Sequence, residues 1–132
     1  MPRFPVQADA QSAAFLEGAA RGEFLVVVDS VTGAYLAPQF DASADPDRYA
    51  RVPASGRATV VSWAVVNERT ADGVERIPVG IVQLDEGPWW WTELADADPD
   101  ADLGGRRACV AFRTFDDGSA VPYFRIEEGA EA

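Results

Sequence analysis

The feature that most constrains the fold is a series of short β-type segments between Gly56 and Ile126. Each segment is rich in β-branched or aromatic residues, and short turns such as Asp85-Glu86-Gly87 and Asp116-Asp117-Gly118 join them. The predicted strands are Thr59–Val66, Pro78–Leu84, Pro88–Leu94, Arg106–Phe115 and Val121–Ile126. Five strands at such close spacing are typical of a small barrel, so we predict a mainly β protein with a five-stranded OB-type barrel.

The chain ahead of this barrel has a different pattern. Ala8–Arg21 is rich in helix formers and predicts a short N-terminal helix, and Phe24–Val28 predicts a compact apolar strand. Ala37–Ser55 is polar and marked by prolines, so we predict a loop there. The domain prediction is a helix and loop region over residues 1–54 and a barrel over residues 55–132.

The amino-acid inventory excludes most catalytic chemistry. The chain has no histidine and no lysine, and Cys109 is its single cysteine. It therefore lacks Ser-His and Cys-His nucleophile pairs, an imidazole proton shuttle and a Schiff-base lysine. One cysteine without histidine can form neither an internal disulfide nor a Cys/His zinc site, and we expect Cys109 to be a semi-buried structural thiol. We predict that the chain is not an enzyme, with a carboxylate-only enzyme using Asp85 or Glu86 as an open alternative.

The charge of the chain limits its partners. Asp and Glu number 22 against 11 basic residues, all of them arginine, which gives a formal net charge of −11. Binding to nucleic acid or to an anionic membrane draws on clustered positive charge, so we predict neither partner. No apolar run is long enough to span a bilayer and the N-terminus lacks a secretory signal, so we predict a cytoplasmic location. A free-standing OB module that binds a ligand or single-stranded nucleic acid remains an alternative.

Three consecutive tryptophans are the most unusual feature of the sequence. Side chains alternate along a strand, so Trp89 and Trp91 share one face and Trp90 points to the other. One face packs into the core, and aromatic residues exposed on the other face indicate an interface. We predict that Trp89, Trp90, Trp91 and Phe15 contact a partner protein.

The acidic segment Asp96–Asp102 suggests a calcium loop. An EF-hand needs glycine at its sixth position and glutamate at its twelfth, and Ala101 and Arg107 stand there instead. We predict a solvated loop between strands at this segment.

The chain resembles the OB-fold acyl-CoA-associated proteins of domain-of-unknown-function family thirty-five. The resemblance runs through almost the whole chain, and the order and spacing of its pieces are more specific than any single piece. The pieces that carry it are Ala14–Gly22, Ser55–Trp63, Leu84–Pro88, Leu103–Gly105 and Val121–Arg125.

Members of this family carry a zinc ribbon ahead of the barrel, with paired cysteines at two knuckles. The matching positions here are Asp29 and Thr32, and then Asp41 and Ala44. Because none of them is cysteine and zinc prefers thiolate or imidazole ligands, we predict a degenerate, metal-free ribbon and no cofactor.

The resemblance implies a non-catalytic accessory subunit of a thiolase-fold enzyme that acts on CoA thioesters. The partner would be a thiolase, or an aldolase of the lipid-transfer-protein type, as in sterol side-chain or fatty-acyl degradation. The expected assembly is a hetero-oligomer in which this subunit helps to enclose the acyl-CoA. Arg57, Arg106 and Arg107 are the candidates for contact with CoA phosphates, since arginine binds phosphate bidentately. The alternative for each arginine is a surface ion pair with a carboxylate.

Overall fold

The computed structural model describes residues 13–127. Its elements are α1 (Ala13–Ala20), β1 (Leu25–Asp29), β2 (Tyr35–Leu36), a 3-10 helix (Ala42–Ala44), β3 (Tyr49–Pro53), β4 (Arg57–Thr70), β5 (Gly73–Leu84), β6 (Trp89–Ala95), β7 (Arg107–Thr114) and β8 (Ala120–Ile126). The predicted helix is present from Ala13, and its first residues, 8–12, lie outside the described part. No helix within residues 13–127 is long and apolar enough to cross a membrane.

The five predicted C-terminal strands form a closed barrel in the order β4-β5-β6-β8-β7, with β7 returning to β4. All neighbours are antiparallel except β6 and β8, which pair in parallel at Leu94↔Phe124. The alternation predicted for β7 is confirmed, because Ala108 is buried and Val110 and Phe112 pack against the same core. The prediction of a mainly β protein with an OB-type barrel is therefore confirmed.

The region predicted as a loop contains a strand that the prediction missed. β3 pairs with β1 along its length, from Leu25↔Pro53 to Asp29↔Tyr49, and forms a three-stranded sheet β2-β1-β3. The local sequence is polar, but Val52 packs against the core and the buried strand β1 supplies backbone partners. Tertiary pairing thus overrides a weak local pattern.

One hydrophobic core joins the N-terminal elements to the barrel. The ring of Phe24 lies 5.4 Å from that of Phe15, 5.3 Å from Trp90 and 5.7 Å from Phe124, measured between centroids. Helix α1 and strand β1 therefore plug one end of the barrel. Leu103, in the loop between β6 and β7, is buried in the same core. The domain boundary between residues 54 and 55 remains a prediction. The hydrophobic core is continuous across that position.

Strands β4 and β5 extend further than predicted. They pair as far as Thr70↔Gly73, whereas β6 pairs with β5 only from Val79 onward. Residues 65–78 consequently form a two-stranded hairpin beyond the barrel, which we call the ribbon arm. Gly80 stands at its base, where a side-chain carbon would overlap the carbonyl oxygen of Ser62.

Candidate functional site

The outer side of β6 presents two exposed tryptophans. Trp89 and Trp91 are 54% and 68% exposed, which is high for side chains of this size. They share a face because they are two residues apart on one strand. Trp91 is paired with Ile81, and Ile81 with Ser62, so Trp91 lies beside the outer surface of β5 and β4.

Two of the four predicted partner contacts face inward instead. Phe15 is only 8% exposed, and Trp90 is partly buried with its ring 5.4 Å from that of Phe15. The apolar surface of these two residues is used largely within the chain, and their contact with a partner stays a prediction. Trp90 points opposite to Trp89 and Trp91, as alternation along the strand requires.

Further apolar side chains continue the surface around Trp89 and Trp91. Residues paired across neighbouring strands, and residues two apart along one strand, lie on the same face. On this basis Ile81, Ala64 and Val66 belong to the face of Trp91, and Val66 is 46% exposed. We call the set Trp89, Trp91, Ile81, Ala64 and Val66 the tryptophan face.

The charges on the ribbon arm are segregated by side. Glu68 and Glu75 are paired directly across the two strands, in the row next to the Val66 row. Arg69 and Arg76 lie on the opposite side of the arm, because each is one residue away in sequence from one of these glutamates. Arg76 donates to Asp100 at 3.0 Å, which ties that opposite side to the loop after β6.

The three arginines predicted to meet CoA lie together at one end of β4 and β7. Arg107 donates to both carboxylate oxygens of Asp85 at 2.9 Å and to the hydroxyl of Thr59 at 2.8 Å. Arg57 donates to the carboxylate of Glu127 at 3.3 Å, and Arg106 to its backbone carbonyl at 3.3 Å. Each arginine therefore has a partner inside the chain, although the side chain of Arg57 is 54% exposed.

The carboxylates beside these arginines accept hydrogen bonds from within the chain. The hydrogen bonds from Arg107 hold the pKa of Asp85 below its ordinary value, so it stays ionised and is unsuited to act as a general acid. Glu86 accepts a hydrogen bond from the backbone N–H of Ser55 at 2.7 Å. This contact fastens the turn after β5 to the segment that enters the barrel.

The acidic segment is a loop, as predicted. Asp96 accepts from Arg125 at 3.0 Å, and Asp98 and Asp102 accept backbone N–H groups of Asp100 and Gly104. Within residues 13–127, no group of three or more His, Cys, Asp or Glu side chains could hold a metal ion. Cys109 is a free, partly buried thiol, as predicted.

Comparison with known proteins agrees with this architecture. Residues 51–113 match the family model of the C-terminal OB-fold domain of ChsH2. The barrel of this chain is therefore similar to the OB-fold domain of ChsH2. The chain also shares its fold with a chain of a solved Ltp2-ChsH2(DUF35) aldolase, with a TM-score of 0.73 and 20% sequence identity, over 96% of this chain and 98% of that one. No curated protein matches the chain.

The positions that were predicted to match a zinc ribbon do not fit a zinc ion. The carboxylate of Asp29 is held by Arg48 through two hydrogen bonds of 2.9 Å, and Asp41 accepts from the backbone N–H and the hydroxyl of Ser43. Ala44 offers no donor atom, and Thr32 accepts from the N–H of Ala34. The positions thus supply neither thiolate nor imidazole, and their oxygens already have partners.

Two features of the site escaped sequence-based prediction. Arg48 lies in a polar segment predicted as a loop, and nothing near it in the sequence indicates its pairing with Asp29, 19 residues away. The acidic pair of Glu68 and Glu75 was missed because the hairpin was predicted to be shorter. The turn residues Asp72-Gly73 were a usable signal, since Asp-Gly between two strands favours a tight hairpin.

Proposed function

We propose that this chain is a non-catalytic accessory subunit of a hetero-oligomeric thiolase-fold enzyme that acts on CoA thioesters. The observation that carries the proposal is a ChsH2-type barrel with two exposed tryptophans on its outer face. The solved neighbour of the same fold is named as an Ltp2-ChsH2 aldolase, which supports an aldolase of the lipid-transfer-protein type as the partner.

The chemistry of the side chains supports a helper role. The chain has no histidine or lysine, and Asp85 and Glu86 hold the barrel together. The nucleophile and the proton-transfer groups would therefore belong to the partner. A subunit packed beside an active-site entrance contributes by excluding water and by holding the partner's loops in place.

The distribution of aromatic and cationic residues favours a protein partner over nucleic acid. Proteins that bind single strands combine stacking aromatics with a positively charged groove. The row of Trp91 contains no arginine in β4, β5 or β6. The row of Trp89 leads through Gln83 and Thr59 to Arg107, which Asp85 already holds, and Glu68 and Glu75 lie further along the same face.

We infer that any contact with acyl-CoA from this chain comes through Arg57. Its guanidinium is more than half exposed, whereas Arg107 is held bidentately by Asp85. A CoA phosphate at Arg57 would compete with the carboxylate of Glu127. The acyl group would come from a sterol side chain or a fatty acid, and the complex would lie in the cytoplasm without zinc in this subunit.

The test is co-expression of the full chain with a lipid-transfer-type thiolase-fold protein from the same genome. We expect the two to co-purify, and we expect aldolase or thiolase activity on a CoA thioester to require both chains. The isolated chain should show no activity on the same substrate. Failure to form a complex, together with full activity of the partner alone, would refute the proposed function.

A further inference from the structure

We propose that the ribbon arm joins two copies of this chain, because the free edge of β4 is built to pair antiparallel with the same edge of a second copy. The two arms form one sheet in the order β5-β4-β4-β5, with a two-fold axis at Val66. This contact is separate from the one made with the enzyme partner of the proposed function and does not depend on it.

The backbone of β4 has one free edge beyond the barrel. Pairs in an antiparallel ladder alternate between those that exchange two hydrogen bonds and those that exchange none. Pro78 has no N–H and pairs with Val65, so this pair belongs to the second kind. Within residues 13–127, β7 pairs only with the start of β4, and no strand covers the rest of this edge. The N–H and C=O groups that point away from β5 are those of alternate residues, namely Trp63, Val65, Asn67 and Arg69.

The opposite edge of the arm, on β5, is blocked. Pro78 offers no outward N–H there, and Arg76 donates to Asp100 at 3.0 Å. Proline and charged residues on an edge strand are devices that prevent pairing with another chain. β4 contains no proline, and the central residues of its free edge, Val65 and Asn67, are uncharged. The arm therefore leaves one edge open to another strand.

The arm gains burial from such pairing. A two-stranded hairpin is at best marginally stable in water, and three or more strands with an apolar face are needed for independent stability. Val66 is 46% exposed and Trp63 is 37% exposed, although both side chains are large and hydrophobic. A second arm beside β4 would cover part of both and would widen the hairpin into a sheet.

The order of residues along β4 makes its edge self-complementary. A two-fold axis at Val66 places this residue opposite its own copy and places Val65 opposite Asn67. In that register the outward N–H and C=O groups of one arm, from residue 63 to residue 69, all face those of the other. Every backbone group at the edge then has a partner, which is the rule for backbone groups that leave water.

The side chains agree with the same register. Arg69 lies opposite Trp63 of the second copy, where a guanidinium over the partly exposed ring gains a cation–π contact. Glu68 lies opposite Ala64. Like charges directly opposite each other destabilise a sheet, and this register brings none together between the two copies of β4.

The net charge of −11 is compatible with the pairing. Antiparallel arms place the two barrels at opposite ends of the shared sheet, and the stretch from residue 63 to residue 69 alone spans roughly 20 Å. Repulsion between the barrels is screened over that distance, because the Debye length is about 8 Å at physiological ionic strength. The space for the arriving tip is also open, since a side-chain carbon added at Gly105 would meet nothing within 4 Å.

The first experiment is sedimentation of the full chain over a range of concentrations, with the variant Asn67→Pro and the control Val74→Pro. Both substitutions remove an outward N–H from an exposed residue of the arm, but only Asn67 lies on the β4 edge. We expect the parent to pass from monomer to dimer as its concentration rises. Asn67→Pro should raise the dissociation constant roughly tenfold, because two-fold symmetry removes two hydrogen bonds, and Val74→Pro should stay within about twofold.

The second experiment tests the register by disulfide trapping in a Cys109→Ala background. Residue 66 and its copy form a pair without mutual hydrogen bonds, in which the Cα atoms lie about 4.5 Å apart. This distance suits a disulfide, so Val66→Cys should form a covalent dimer under mild oxidation. Glu68→Cys is the control on the same face, since its own copy lies roughly 13 Å away along the strands.

Four results would overturn the inference. The first is a parent chain that stays monomeric up to about 1 mM. The second is a dimer that Asn67→Pro leaves unchanged, which would place the contact on another surface. The third is trapping of Glu68→Cys in preference to Val66→Cys, which would exclude the axis at Val66. The fourth is a monomeric parent whose complex with the thiolase-fold protein is lost in Asn67→Pro, which would give the edge to a strand of that protein. Failure of the co-expression test, by contrast, refutes the proposed function and leaves this dimer standing.

Discussion

Asp29, which was predicted to match the first cysteine of a zinc ribbon, is a buried carboxylate paired with Arg48. Its side chain accepts two hydrogen bonds from Arg48 and one from the backbone N–H of Val31 at 2.9 Å. The hydroxyl and backbone N–H of Ser30 in turn donate to the carbonyl of Arg48. A guanidinium therefore joins the end of β1 to the residue just before β3.

The pairing makes a prediction about pH. The hydrogen bonds from Arg48 hold the pKa of Asp29 well below its ordinary value of 3.8. The pair therefore stabilises the fold fully above that value, and the stabilisation is lost as the pH falls through the lowered pKa of the folded state. We expect Asp29→Asn to lower Tm by several degrees at neutral pH, by an amount that is constant down to about pH 5 and shrinks below pH 4.

Thermal unfolding followed by circular dichroism from about pH 8 to pH 2 checks this expectation. Asp47→Asn is the control, since Asp47 is exposed in the loop before β3. A deficit in Asp29→Asn that grows as the solution becomes more acidic would contradict the assigned role.

At the scale of secondary-structure elements, Phe24 packs helix α1, the N-terminal sheet and the barrel around one hydrophobic core. Its ring touches Phe15 in α1, Trp90 in β6 and Phe124 in β8. We expect Phe24→Ala to lower the free energy of unfolding by about 3–5 kcal/mol, because the lost contacts leave a cavity that three elements line. Urea unfolding measures the loss, and Val31→Ala, at an exposed position, should change stability by less than about 0.5 kcal/mol.

Hydrogen exchange separates this prediction from a local effect. Amides of β1 and of β8 should lose protection together in the Phe24→Ala variant, since both strands rely on the same ring. Loss of protection in β1 alone would mean that the N-terminal sheet and the barrel unfold independently.

The strands that the sequence predicted are those in which local pattern and tertiary burial agree. Alternate residues of β7 (Ala108, Val110 and Phe112) and of β8 (Phe124 and Ile126) belong to the barrel core or pack against it. β3 and the ribbon arm lack that agreement: β3 is polar and is ordered by its pairing with β1, and the arm is exposed on much of both faces. No alternation of apolar residues marks these strands in the sequence. They form because they pair with neighbouring strands, which a local pattern cannot show.

The same limit applies to the site. Alternation predicted that Trp89 and Trp91 would share a face, but it could not decide which of the two faces of β6 pointed outward. Phe15 belongs to an apolar stripe on its helix that fits a core or an interface equally by pattern, and only the packing of α1 against the barrel end shows that its ring is buried.

At the scale of the whole molecule, we predict that folding is independent of metal. The ribbon positions carry no thiolate, and Arg48 already neutralises Asp29. Elemental analysis of the purified chain should find no stoichiometric zinc, and excess EDTA should leave Tm unchanged. Stoichiometric zinc, or a fall in Tm on chelation, would contradict the prediction.

The strand order of the barrel also determines when it can close. β8 lies between β6 and β7 and is the last of the strands within residues 13–127, so both of those strands keep an open edge until it arrives. On the ribosome, a nascent chain that has exposed β4 to β7 therefore carries two unpaired edges and an incomplete core, which are the features that promote aggregation. Closure has to wait until synthesis has passed Ile126, and a chaperone would be needed most during that interval.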